Sequence, residues 1–192
     1  MPYKPHEMLL EYLDSPTKPD QNKPVLDLAC GTGRTGLQLA RQGIPVLFAD
    51  RSAIALNGIR QHISDSRLPA RVWQVDLEQA GVNPFASQVF SAITCFRYLH
   101  RPLFPYLLKA VEPGGLIIYE TFTTANRRFG RPNNPDFLLE PNELKTWFHK
   151  WNLLHYYEGI QHDPDRAIAQ IVVKKPGANP SSPTPFTHPS AG

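Results

Sequence analysis

The chain has 192 residues, of which 41% are hydrophobic and 19% charged, with a formal net charge of +3. That is enough apolar material for one core and too little charge for a wholly disordered chain, and the mild basic excess falls short of a dedicated nucleic-acid binder. The only cysteines, Cys30 and Cys95, exclude a disulfide framework and a four-cysteine zinc site, and the apolar run Met8–Leu10 is stopped by Glu11, too short for a signal or spanning segment, so a cytoplasmic protein without a membrane partner is expected.

Residues 6–13 pattern as a short amphipathic helix that Ser15-Pro16-Thr17 breaks, making 1–23 an expected helix and linker. Apolar Val25–Leu28, a Gly-rich turn, a helical Leu37–Arg41 closed by Gly43, and apolar Ile44–Ala49 ending at Asp50 then read as a βαβ unit. Ser52 caps a helix carrying Ile54, Leu56, Ile59 and Ile63, and Arg71–Val75 forms a third strand ending at Asp76. Val89–Cys95 is a fourth strand, Leu103–Val111 a helix despite Pro105, and Leu116–Thr121 a fifth strand entered through Pro113-Gly114-Gly115. Such alternation predicts a doubly wound, mostly parallel sheet. An irregular stretch from Thr121 to Leu139 holds Arg127, Arg128 and Arg131 around Phe129; a helix over Pro141–Lys150 follows. Leu153–Tyr157 and Ala167–Val173 close the fold as an antiparallel pair around the turn at 162–165. The expected globular domain is 24–175, and the Pro-rich 176–192 lacks the apolar groups to order itself.

Gly31 to Gly36 satisfies G-x-G-x-x-G between a strand and a helix, where a backbone without Cβ atoms can approach a ligand. Alone this fits a dinucleotide, another cofactor or a tight turn. Asp27 weighs against a dinucleotide, because its carboxylate would repel a pyrophosphate over the helix N-terminus. S-adenosylmethionine carries no phosphate and brings a sulfonium and an ammonium, which Asp27 can attract directly or through water. Asp50 at the second strand's end is positioned to accept from both ribose hydroxyls, and Asp76-Leu77 after the third to accept from the adenine amine and cover its ring. The competing reading of each acid is a turn or helix cap, which suits any one of them better than all three in register.

The segment Asp27-Leu28-Ala29-Cys30-Gly31-Thr32-Gly33, with Asp50, Val75-Asp76-Leu77 and Glu112-Pro113-Gly114-Gly115, resembles the class I S-adenosylmethionine-dependent methyltransferases over residues 25–174. The resemblance implies a Rossmann-like, seven-stranded doubly wound sheet with an antiparallel C-terminal strand, and S-adenosylmethionine as cofactor. It assigns cofactor binding to Asp27, Ala29, Cys30, Gly31, Thr32, Gly33, Asp50, Arg51, Asp76, Leu77 and Phe96. Ala29 stands where the family has its first loop glycine, tolerable if φ is negative there. The chain looks most similar to the small tellurite-resistance-type branch, which implies a small-molecule acceptor such as a thiol or chalcogen oxyanion.

Methyl transfer asks mainly for alignment and exclusion of water. Phe96 and Tyr98 after the fourth strand are candidates to shape the methyl pocket, or are ordinary core aromatics. His100 is a candidate base, with Arg97 and Arg101 to hold an anionic acceptor; the alternative is a solvated residue before the helix. Glu120 and Thr121 are expected to face the same cleft. The Arg127–Arg131 loop would clamp an anion or nucleic acid, or simply be solvated. His149, His155 and His162 form no metal triad, and no metal is expected. Cys30 and Cys95 are expected near the cleft as free thiols. The competing functions are a non-catalytic nucleotide- or RNA-binding module and an NAD-dependent oxidoreductase; the latter lacks a Tyr-x-x-x-Lys pair.

Overall fold

Strands β1 (Val25–Leu28), β2 (Val46–Asp50) and β4 (Phe90–Phe96) are buried along almost their whole length, as continuous apolar runs in the middle of a parallel sheet must be. The computed structural model describes residues 23–177 and, ahead of them, Glu7, Glu11 and Tyr12. Those three are helical, as expected for 6–13; the other positions of that helix, and the tail from 178 on, lie outside the described residues.

With β3 (Ala70–Gln74), β5 (Val111–Phe122), β6 (Asn152–Gln161) and β7 (Arg166–Lys174), they form one seven-stranded sheet in the order β3-β2-β1-β4-β5-β7-β6. β7 pairs antiparallel with both β5 and β6, and the pairs from β3 to β5 are parallel. Helices α1 (Arg34–Arg41) and α2 (Ala53–Ser66) cover one face, where Leu37, Ala40, Leu56 and Ile59 pack on Phe48 and Ile118. Helices α3 (Phe104–Ala110) and α4 (Glu143–Trp147) cover the other; Phe104 stacks on Trp147 at 4.7 Å and tilts against Tyr119 at 5.4 Å. The doubly wound sheet expected from the alternation is the observed one.

Three local differences have physical causes. The Ser52 hydroxyl caps α2 by accepting from the Ala55 N–H at 3.2 Å, but Ile54 in the first turn is 87% exposed, because helical periodicity puts it on the face opposite Leu56 and Ile59. β5 begins at Val111 rather than Leu116, running through Pro113-Gly114-Gly115 by a register shift opposite Phe90 and Ala92. There Gly115 lies so close to its neighbour that a Cβ would meet the Ser91 carbonyl oxygen at 2.6 Å. Finally, β6 and β7 extend to Gln161 and Arg166, leaving only four residues between them.

The tightest packing is at the start of α1. A Cβ on Gly36 would lie 2.5 Å from the Phe48 ring and 2.6 Å from Asp27 Oδ2. Gly36→Ala should therefore destabilise the fold by about 1–3 kcal/mol, read as a lower midpoint in thermal or urea denaturation; an unchanged midpoint would show that α1 can back away from β2 at no cost.

Candidate active site at the strand ends

The loop after β1 is held by two carboxylates. Asp27, 3% exposed, accepts from the Gly36 N–H at 3.0 Å through Oδ2 and from the Thr94 hydroxyl at 3.3 Å through Oδ1. Asp50 reaches across from β2, accepting from the Gly31 N–H and the Ser52 N–H, both at 2.8 Å. Between these anchors the backbone is left-handed at Ala29 (φ 50°), Gly31 (φ 53°) and Gly33 (φ 69°). The condition that would make Ala29 an easy replacement for glycine, a negative φ, is not met: this alanine adopts the glycine-like conformation, at a cost of about 1 kcal/mol that the anchored loop must offset.

Two joined cavities open above the loop. The first, of about 470 Å³, is lined by Ala29, Asp50, Arg51, Val75, Asp76, Leu77, Arg97, Tyr98, Leu99, Thr121 and Phe122 among others. Its volume and mixture of apolar wall with a few convergent polar groups suit a nucleoside-sized ligand. The carboxylates of Asp50 and Asp76 each keep free lone pairs beside Leu77 and Val75, a donor-hungry rim over an apolar wall that fits an adenosine bearing positive charge. The Tyr98 hydroxyl is buried beside Glu78, and burial together with the charge of Glu78 pushes its phenol up.

The second cavity, larger and open, lies between α1 and the β6–β7 turn. Cys30, Gly31, Thr32, Arg34 and Phe96 line one side, and Asn126, Phe129, Arg131, Gln161, His162, Asp163, Asp165 and Arg166 the other. Its charge is dominated by arginine. His162 Nδ1 pairs with Asp165 at 2.7 Å, beside an Arg166 that hydrogen-bonds Gln161 at 2.6 Å. Ala29, Arg97 and Phe122 line both cavities and form their junction.

Of the residues anticipated from sequence, most reach this cleft, but several do not. Asp27 and Gly33 line neither cavity; the Asp27 carboxylate is sealed beneath the loop, so direct contact with an ammonium is replaced by a structural hold on Gly36. His100 lines a third cavity with Pro102 and Tyr106, which adjoins the first at Leu77 and Glu78 and does not include the junction residues Ala29, Arg97 and Phe122. Arg101 is fully engaged with Glu143 (2.7 and 2.8 Å) and the carbonyls of Asp136 and Leu138, tying α4 to the loop before it. Cys95 is completely buried on the α3 face, while Cys30 is half-buried at the second cavity; both are free thiols, and burial pushes both up. Glu120 is not in the cleft but 0% exposed behind it, whereas Thr121 does line the first cavity. Sequence reading weighed His162 only as a metal ligand and passed over Arg166; the closing hairpin brings both near the loop. Among the described residues, no three His, Cys, Asp or Glu side chains gather as a metal site, and no helix is long and apolar enough to cross a membrane.

Burial dominates Asp27 and raises its carboxyl from 3.8 to about 7, against the pull of the Gly36 and Thr94 hydrogen bonds. The folded state therefore holds a proton that the unfolded chain releases between about pH 4 and 7, and stability falls as pH rises through that window. Asp27→Asn keeps an acceptor for Gly36 and should remove this slope, making the variant more stable than the parent by about 2–4 kcal/mol at pH 8 and little different at pH 4. Parallel denaturation curves at pH 5 and 8 for both proteins would contradict the assignment.

A methyltransferase domain family matches residues 25–115. The chain is 26% identical over 157 residues to the probable S-adenosyl-L-methionine-dependent methyltransferase TehB of Haemophilus influenzae (strain 10810), covering 78% of this chain and 54% of that one. It is 32% identical over 105 residues to the protein named uncharacterized methyltransferase YodH of Bacillus subtilis (strain 168), covering 52% and 43%. The chain spans about half the length of these curated relatives. The crystal structure of TehB from Haemophilus influenzae superposes with a TM-score of 0.68 at 19% identity, over 90% of this chain and 67% of that chain. The N-methyltransferase NodS from Bradyrhizobium japonicum WM9, in complex with S-adenosyl-L-homocysteine, superposes with a TM-score of 0.67 at 14% identity, over 90% and 85%. At such identities the structures speak for the fold; the chain carries a match to a methyltransferase domain over residues 25–115 and is similar to the probable S-adenosyl-L-methionine-dependent methyltransferase TehB.

Proposed function

We propose that this protein transfers the methyl group of S-adenosylmethionine to a small anionic acceptor, of the thiol or chalcogen-oxyanion kind, that enters through the arginine-lined cavity. The observation that carries this reading is the pairing of cavities: an acid-rimmed one at the ends of β1 to β3 joined to one lined by Arg34, Arg131 and Arg166. When bound, the cofactor supplies a methyl carbon already activated for in-line displacement.

In this reading the chain's own groups divide the work. Asp50 accepts from the ribose hydroxyls while bracing Gly31, Asp76 accepts from the adenine amine, and Leu77 covers the ring. Ala29, Cys30, Gly31, Thr32 and Arg51 form the remaining wall, and Phe96 narrows the entrance to the methyl. Arg131 and Arg166 hold the acceptor's charge, since Arg97 is already paired with Glu120 at 2.8 Å. His162, oriented by Asp165, is the histidine on the acceptor side and takes a proton from a thiol or hydroxyl nucleophile.

S-adenosylhomocysteine formation with a panel of thiols, chalcogen oxyanions and carboxylates tests the reading; cofactor binding without turnover of any of them would favour a binding module. Asp50→Ala should weaken S-adenosylmethionine binding by about 1.5–3 kcal/mol in calorimetry. His162→Asn should lower turnover by about 10²-fold with cofactor affinity unchanged, and equal losses in both measurements would remove it from the acceptor side.

A further inference from the structure

Arg97 carries the most constrained backbone at the cavity junction. It follows β4 directly, holds a left-handed φ of 63° without being glycine, and donates its N–H to the Glu120 carbonyl at 2.8 Å. Its guanidinium lies over the Phe122 ring, 4.6 Å from the centroid, and its Nη2 meets Glu120 Oε1 at 2.8 Å. That approach is close but poorly directed, an ion pair rather than an aligned hydrogen bond. The other carboxylate oxygen of Glu120 accepts from Gln170 Nε2 at 2.5 Å, directly across the β5–β7 ladder. Glu120 and Gln170 are both 0% exposed.

A cation at this junction is a difficulty for the chemistry. The reacting methyl has to pass from the first cavity to the second, so the positively charged sulfur of the cofactor belongs beside Ala29, Arg97 and Phe122. A bare guanidinium there would repel the sulfonium through a poorly screened interior. Arg166 adds to the positive field at Arg97. A buried carboxylate is costly unless it is paired, and the Glu120 carboxylate is placed against this arginine alone among the described cations.

We propose that Glu120 is a specificity-determining residue for the cofactor: by neutralising Arg97 from behind the cleft wall, it lets a sulfonium occupy the junction and sets the preference between S-adenosylmethionine and its uncharged-sulfur product. Glu120 acts through Arg97 and touches neither ligand, so it is a positioning residue. The inference rests on the reading that the cofactor fills the first cavity and the acceptor the second, but its test needs no acceptor.

The experiment is calorimetric measurement of the dissociation constants of S-adenosylmethionine and S-adenosylhomocysteine at low ionic strength. Glu120→Gln preserves shape and the Gln170 contact, while the Phe122 ring and the backbone bond keep Arg97 in place. It should raise the ratio Kd(S-adenosylmethionine)/Kd(S-adenosylhomocysteine) by about tenfold, and the rise should shrink in added salt. Adding Arg97→Met to that variant removes both charges and should return the ratio to near the parent value. Where Glu120→Gln does not fold, Arg97→Met alone serves, with the ratio expected to fall. Equal weakening of both ligands in folded Glu120→Gln, a double variant that does not recover, or a ratio that fails to fall in Arg97→Met each overturns the proposal. If methyl transfer is observed while the ratio stays fixed, the proposed function stands and this inference falls; if the parent protein binds neither ligand, both fall together.

Discussion

The buried carboxylate of Asp27 is the constraint on which the cleft depends. It joins the central strand β1 to α1 through the Gly36 N–H and to β4 through Thr94, and it tolerates no side chain at position 36. With α1 drawn down in this way, the intervening loop is too short to turn without left-handed residues, which is why Ala29, Gly31 and Gly33 share positive φ. Asp50 then fixes the loop from the side through Gly31. The pair divide the duties sequence reading had given to all the strand-end acids alike: the inner one supports the backbone, and the outer one, still reachable from the cavity, retains capacity for a ligand.

Charge is arranged across the cleft in opposed halves. Carboxylates of Asp50, Asp76 and Glu78 outnumber the guanidinium groups of Arg51 and Arg97 around one cavity, whereas those of Arg34, Arg97, Arg131 and Arg166 outnumber Asp163 and Asp165 around the other. Such separation draws a cationic ligand and an anionic one to adjacent places without requiring either to compete for the same groups. The Arg97–Glu120 ion pair stands between the halves, contributing shape and an aromatic contact while cancelling most of its own field.

How much of this was legible in the sequence follows from which signals are local. Strands and helices were readable because burial on both faces of a parallel sheet leaves unbroken apolar runs, and Ser52 announced its helix by its chemistry. The loop was readable as a ligand turn from its glycines, although Ala29 hid its left-handed conformation. Within residues 97–101, Arg97 and Tyr98 line the cleft as expected, whereas His100 and Arg101 lie outside it. A left-handed Arg97 redirects the chain so that Tyr98 returns to the first cavity while His100 and Arg101 turn toward α3 and α4. Nothing local marks that turn, because a glycine is the usual sign and none is there; it is held from β5, by the Glu120 carbonyl and carboxylate and by the Phe122 ring.

The acceptor side was illegible for a topological reason. β6 runs in the same direction as β5 because β7 is inserted antiparallel between them, so β6 ends and β7 begins at the edge where β1, β4 and β5 also end. Four residues of turn therefore deliver His162 and Asp165 to the cleft, with Arg166 opening the return strand. In sequence these positions are some 130 residues from the glycine loop and look like an ordinary polar hairpin. The same geometry separates what the two halves of the chain can vary. The loop and its acids are locked by strand register and by a glycine that admits no Cβ, whereas the residues of the hairpin tip and Arg131 are exposed. Substitutions there can change the shape and charge of the second cavity while leaving the sheet that holds the first one undisturbed.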